Sequence, residues 1–193
     1  MTKIKGSQTE RNLLKSFAGE SQARTRYSFY AGVARKEGYV QIANIFEETA
    51  GHEKAHAKRF YSFLEGGGVE ITAGFPAGRI GTTQENLLSA AKGEHEEHAV
   101  LYPAFAETAR EEGFKHIAAV WDAVSVSEKY HEERYRVLLE AISLNQVFSR
   151  DEAQIWKCGN CGYIHEGQKA LERCPACAHA QAYFEILRGL SRP

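Results

Sequence analysis

Two short motifs carry the strongest chemical signal in this chain, Glu53-x-x-His56 and Glu128-x-x-His131. A carboxylate and an imidazole at i and i+3 lie on one face of a helix and point the same way. Each motif follows a segment with a further glutamate, Glu20 in one case and Glu94 in the other. One glutamate from each leading helix plus two Glu-x-x-His pairs is the donor set of a carboxylate-bridged metal pair. The mixture has a chemical reason. Hard oxygens neutralise two adjacent cations, imidazole suits iron, and two of the carboxylates can bridge. A single Glu-x-x-His on a charged helix reads as a solvated surface pair. Two in register, each with its upstream glutamate, do not.

The register comes from an internal repeat. Gly19-Glu20 corresponds to Gly93-Glu94 at an offset of 74. Tyr27 corresponds to Tyr102, Glu37-Gly38 to Glu112-Gly113, and Glu53, His56 and Arg59 to Glu128, His131 and Arg134, all at 75. The repeat is imperfect at Glu97, whose counterpart is Ala23. A fifth carboxylate on one side only makes the site asymmetric. The change of offset also means one extra residue between Glu94 and Tyr102. In a regular helix an extra residue rotates the downstream side chains by about 100°. A π-type turn absorbs it, and Pro103 withholds a backbone donor there. A π-turn is therefore predicted within 94–103 and none in 20–27. Phe46 and Trp121 read as core packing beside the site. Tyr27 and Tyr102 read as packing, with hydroxyls able to donate a hydrogen bond or proton. His52, His95, His98 and His116 have no place in the repeat and read as surface or packing histidines.

All four cysteines lie between 158 and 177, spaced C-x2-C-x12-C-x2-C as Cys158, Cys161, Cys174 and Cys177. Four thiolates at this spacing hold zinc or iron, and spacing alone does not separate the two. The flanks, Cys-Gly-Asn-Cys-Gly-Tyr and Cys-Pro-Ala-Cys, resemble the knuckles of rubredoxin. Iron in that cage carries one electron, and a redox site next to it favours iron, with zinc the alternative.

Hydrophobic periodicity supplies the scaffold for these groups. Apolar residues recur at helical spacing through 13–34, 39–65, 84–110 and 114–144. Gly38 and Gly113 mark breaks within two helix pairs, drawn at 8–65 and 83–144. The Gly-rich stretch 66–82 connects them, and with no strand before it, it is not a phosphate cradle. Thr82 and Glu85 fit a capping box. Two hairpins and one long crossover match a ferritin-like four-helix bundle, placed at 1–148. A linker at 149–156 leads to a small C-terminal unit, drawn at 153–193, which needs a metal staple. The fold class is mainly α with this appendage. The 193 residues carry 24 basic and 25 acidic groups, so no charge footprint for nucleic acid exists. No apolar run is long enough to span a membrane. The opening MTKIKGSQTE has no apolar h-region, so a cytoplasmic protein is expected.

Glu20, Glu53-x-x-His56, Glu94-x-x-Glu97 and Glu128-x-x-His131, followed by the cysteine knuckles, resemble the rubrerythrin family. The stretch AGRIGTTQENLLSAAKGEHEEH is similar to its crossover and third helix. The resemblance covers essentially the whole chain. It implies two Fe in the bundle, oxo- or hydroxo-bridged when oxidised, and one Fe in the four-cysteine site, where Zn remains possible. It implies that Glu53 and Glu128 bridge, and that Glu20 and Glu97 serve one iron with His56 able to replace Glu97 on reduction. Glu94 and His131 then serve the other. The implied activity is reduction of hydrogen peroxide to water in oxidative stress defence, with Glu97, Tyr27 and Tyr102 as catalytic candidates. Electrons would come through the rubredoxin-type centre from a rubredoxin or an NAD(P)H-dependent reductase. The alternatives are a ferroxidase or iron-handling protein, and an electron carrier with a structural zinc ribbon. Helix beyond His131 carries the chain roughly 20 Å past the site before the tail begins. A head-to-tail homodimer, with electrons crossing between chains, is therefore expected.

Overall fold

A computed structural model describes residues 3–187. Helices α1 (Gln8–Lys36) and α2 (Val40–Tyr61) form the first hairpin. Helix α3 (Thr83–Glu96) runs through a π-turn (Glu97–Leu101) into α4 (Tyr102–Glu111), and this broken helix pairs with α5 (Lys115–Ser143). The π-turn falls where the repeat offset changes, and α1 is unbroken α-helix through 20–27. Helix α2 stops at Tyr61, so the irregular connection starts sooner than the apolar spacing suggests. Thr82 and Glu85 form the expected capping box at the start of α3.

Both hairpin turns use the same device. Gly38 and Gly113 have φ of 85° and 88°, and the next residues, Tyr39 and Phe114, donate back to Ala34 and Ala109 at 2.8 and 2.7 Å. These bonds satisfy carbonyls that a helix end leaves open, and glycine takes the left-handed conformation without a Cβ clash. The glutamates before them cap the opposite hairpin. Glu112 accepts from the Gln8 and Thr9 backbone at 2.9 and 2.8 Å, and Glu37 accepts from the Thr83 backbone at 3.0 Å. A carboxylate at a helix N-terminus satisfies free N–H groups and faces the positive end of the dipole.

The bundle interior has two apolar clusters. One contains Tyr27, Tyr30, Ile42, Phe46, Leu87 and Tyr135. The other contains Leu13, Phe60, Tyr102, Ile117 and Trp121. Trp121 and Phe46 are fully buried, as expected of core residues. On every helix the donor residues fall between the two clusters in chain order, so the polar site is a layer sandwiched by aromatic packing.

Residues 149–156, expected as a linker, belong to a strand, β1 (Ser149–Cys158). It is the centre of a three-stranded antiparallel sheet with β2 (Ile164–Lys169) and β3 (Phe184–Ile186) at its edges. Its polar start, Ser-Arg-Asp-Glu, hides the strand from a pattern reading. Its end is fixed by Trp156, fully buried, with Nε1 donating to the Gly167 carbonyl at 2.8 Å. The small unit rests on the start of α2: Phe148 stacks on Tyr39 with centroids 6.1 Å apart, and Ala182 lies against Gly38.

Candidate metal centres

In the layer between the two apolar clusters, two donor quartets share two residues. Glu20, Glu53, His56 and Glu128 make one, and Glu53, Glu94, Glu128 and His131 make the other, with donor atoms in each within 4.8 Å of one another. Glu53 and Glu128 are common to both, as bridging carboxylates must be. His56 Nδ1 lies 2.9 Å from Glu128, 3.5 Å from Glu53 and 3.8 Å from Glu20. His131 Nδ1 lies 2.8 Å from Glu128, 3.2 Å from Glu53 and 3.4 Å from Glu94. Helices α1, α2, α3 and α5 each contribute at least one donor, so the fold and the site are assembled together.

The fit of this cage to cations is visible in its unpaired atoms. Glu20 Oε2, both oxygens of Glu53 and Glu128, Glu94 Oε2, and Nδ1 of His56 and His131 are buried without hydrogen-bond partners. Buried polar atoms in a folded protein are otherwise paired, so each one here asks for a ligand. The electrostatics agree. Burial and the charge of Glu128 hold the Glu20 carboxyl well above its ordinary range, and burial and Glu53 push Glu94 up to about 8. Burial opposes ionisation of Glu53, but its contacts with Glu20, His131 and His56 hold it below the ordinary range. Burial also disfavours charge on the imidazoles. Glu128, Glu53 and Glu94 override it and push His131 up to about 12, and Glu128 and Glu20 raise His56 in the same way. Protons held on these raised carboxyls and imidazoles offset the gathered negative charge, and divalent cations would take their place.

The outer atoms are tied down crosswise. Tyr27 on α1 donates to Glu94 Oε1 at 2.5 Å, and Tyr102 on α4 donates to Glu20 Oε1. Each hairpin's tyrosine thus holds the other hairpin's leading glutamate. Burial raises both phenols, with Glu94 adding to the effect at Tyr27 and Glu20 at Tyr102, so both keep their protons.

Glu97 stands outside both quartets. It opens the π-turn, with its Oε1 3.7 Å from where a side chain on Gly19 would start. Burial and Glu94 raise its carboxyl well above the ordinary range. It lines a pocket of about 320 Å³ together with Gly19, Arg26, Phe75, Leu101 and Tyr102. His56 occupies the position beside Glu20 that the resemblance shares between His56 and Glu97.

Three histidines read as bystanders have specific partners. His52 Nδ1 lies 3.1 Å from His131 Nε2, with the rings stacked at 5.2 Å, so it orients a donor imidazole. His95 and His98 both contact Glu132. No repeat signal marks these residues: Ser127 stands 75 positions beyond His52, and Ala57 stands 75 before Glu132. His116 packs edge-on against Phe63, as a packing histidine should.

In the small unit the four sulfurs of Cys158, Cys161, Cys174 and Cys177 lie within 4.8 Å of one another, and none is in a disulfide. Cys158 and Cys177 are 3.7 Å apart, Cys161 and Cys174 3.6 Å. A tetrahedron with metal–sulfur bonds of about 2.3 Å has edges of roughly 3.8 Å, so the cage has the size of one thiolate-bound ion. The knuckles present backbone donors to it. The His179 N–H pulls Cys177 down to about 6. Cys161 also receives a lowering N–H from Tyr163, yet the neighbouring sulfurs push it up to about 12.

The fold and the two cages define a ferritin-like di-iron carboxylate bundle joined to a rubredoxin-like four-cysteine unit. The chain belongs to the rubrerythrin family: a family model for rubrerythrin matches residues 11–139, and one for the rubrerythrin rubredoxin-like domain matches residues 156–185. It is 62% identical to the rubrerythrin of Porphyromonas gingivalis over 96% of this chain and 92% of that protein. It is 53% identical to the rubrerythrin of Nitratidesulfovibrio vulgaris over 97% and 98% of the two chains. A solved structure of nigerythrin in its partially reduced state matches with a TM-score of 0.63 and 33% identity, over 95% of this chain and 91% of that one.

Proposed function

We propose that this chain is a cytoplasmic peroxidase that reduces hydrogen peroxide to water. A rubredoxin or an NAD(P)H-linked reductase supplies its electrons through the four-cysteine iron. The observation that supports this most is the pairing, in one chain, of a two-metal cage with a one-electron thiolate cage. When bound, two ferrous ions supply the two electrons that peroxide reduction takes, one from each. An iron store needs no attached electron carrier, whereas a site that is oxidised at every turnover does.

The chain's own residues have distinct tasks in this reading. Glu53 and Glu128 span both quartets and fix the spacing of the two ions. Glu20 and His56 complete one side, Glu94 and His131 the other. Tyr27 and Tyr102 hold the outer carboxylate oxygens and keep protons beside the centre. Glu97 faces the pocket through which a molecule as small as peroxide would enter, and it would be an alternative to His56 as a donor beside Glu20. Phe75 and Leu101 give that pocket apolar walls that limit water. The α5 surface and the exposed Cys161 knuckle support a head-to-tail homodimer in which electrons cross between chains.

The test uses protein purified without oxygen, analysed for metal and then reduced. Three irons per chain and stoichiometric peroxide consumption, one peroxide per two electrons, are expected. Faster oxidation of added ferrous iron by oxygen than consumption of peroxide would favour the ferroxidase function. Zinc alone in the four-cysteine cage would favour a structural ribbon.

A further inference from the structure

A second imidazole–carboxylate cluster lies outside the paired centre. Glu132 Oε2 takes His98 Nε2 at 2.6 Å and His95 Nδ1 at 3.0 Å, while its Oε1 is held by Arg136 Nε at 2.6 Å. The two rings meet edge-on with centroids 5.2 Å apart. All three donor atoms lie within 4.8 Å of one another. The local backbone explains the split from the main site. Glu94 and Glu97 face α1 and the paired centre, whereas His95 and His98 on the same stretch of chain face Glu132 on α5.

We propose that His95, His98 and Glu132 form a separate mononuclear site for a divalent first-row transition ion such as Zn²⁺ or Cu²⁺. Two imidazoles with one carboxylate suit such ions, whereas Mg²⁺ and Ca²⁺ prefer all-oxygen shells. Three protein donors leave room for water or a fourth ligand. That room exists on the solvent side, because the His95 side chain is 56% exposed while that of Glu132 is only 10% exposed. The carboxylate is already oriented, since Arg136 fixes one oxygen and leaves the other to the imidazoles. Such outer partners set the aim of a metal-bound carboxylate. The positive charge of Arg136 also opposes a cation, so micromolar rather than tighter binding is expected.

The test uses the full chain with iron in its other sites, titrated with Zn²⁺ by calorimetry while the visible spectrum and iron content are followed. One further Zn²⁺ per chain is expected at micromolar concentration, with no loss of iron. In a His95→Ala/His98→Gln double variant its affinity falls by roughly tenfold or more, and a His116→Ala control keeps it. With Cu²⁺ the wild-type chain gives an electron paramagnetic resonance signal split by two nitrogens, and the double variant does not. If the double variant loses iron through misfolding, His95→Ala alone decides, because that side chain projects into solvent. Absence of an extra ion, uptake only in exchange for iron, or equal affinity in the variants overturns the proposal and leaves the cluster a hydrogen-bond network.

Discussion

The tyrosine hydroxyls show how much a single atom controls at the paired centre. Removing the Tyr102 oxygen leaves Glu20 Oε1 buried without a donor. Tyr102→Phe is expected to cost about 1–3 kcal/mol of stability and to weaken iron retention roughly 10–100-fold. Tyr27→Phe does the same through Glu94. Denaturant midpoints and iron release to a chelator check both, and unchanged retention would reduce the phenols to packing. The six Glu and His residues of the two quartets are legible in the sequence because the repeat writes each of them twice, whereas Glu97 has no counterpart in the first copy. The partners of His52, His95 and His98 are not legible. Each sits on another helix, and nothing in local spacing reports a contact 34 to 79 residues away. The cross-hairpin tyrosine bonds are half legible: the repeat pairs Tyr27 with Tyr102, but only the packing shows that each reaches the other hairpin's glutamate.

Elements in this fold are held by reciprocal caps. Glu112 receives the first N–H groups of α1 and the Thr9 hydroxyl at 2.6 Å. Burial works against its charge, but the Thr9 hydroxyl and the Gln8 and Thr9 backbone hold its carboxyl below the ordinary value of 4.5. A depressed pKa means stability that is present above that ordinary value and lost as pH falls through the lower, folded one. Glu112→Ala is thus expected to cost about 1 kcal/mol near neutral pH, and thermal midpoints of variant and wild type should converge below pH of about 4.5. A constant gap across that range would show that shape, not charge, is what Glu112 supplies. The π-turn is legible because one residue of excess in a repeat has to go somewhere, and a wide turn beside Pro103 absorbs it without turning Tyr102 away from the site. Strand β1 is not legible, since four polar residues open it and its partners lie downstream. The two modules should also separate by metal. Cys174→Ser is expected to abolish the thiolate–iron absorption and leave bundle iron in place, and simultaneous loss of both would contradict independent cages.

For the protein taken entire, the proposed function raises the question of how an electron would travel from the cysteine cage to the paired centre. The small unit rests on the turn that leads into α2, at Gly38 and Tyr39, whereas Glu53 comes 13 residues after Val40. At 1.5 Å per residue that places roughly 20 Å of helix between them, a long step for one chain. A second copy would shorten it. Val126, Tyr130 and Val137 on α5 and its C-cap residue Leu144 are 71%, 55%, 48% and 56% exposed, and their spacing of 4, 7 and 7 puts them along one side of the helix. An apolar stripe of this kind is suited to a two-fold partner, the commonest oligomer. Packed head to tail, each tail would lie over the other chain's paired centre. Two inactive variants test the route. One lacks Cys158 and Cys161 and keeps a sound bundle, and the other carries Glu53→Ala and Glu128→Ala and keeps a sound tail. After subunit exchange, mixed dimers would hold one intact tail and one intact bundle on opposite chains, so crossing electrons should restore part of the proposed peroxidase activity. Mixed dimers that form, as shown by mass, and stay inactive would mean that electrons move within one chain.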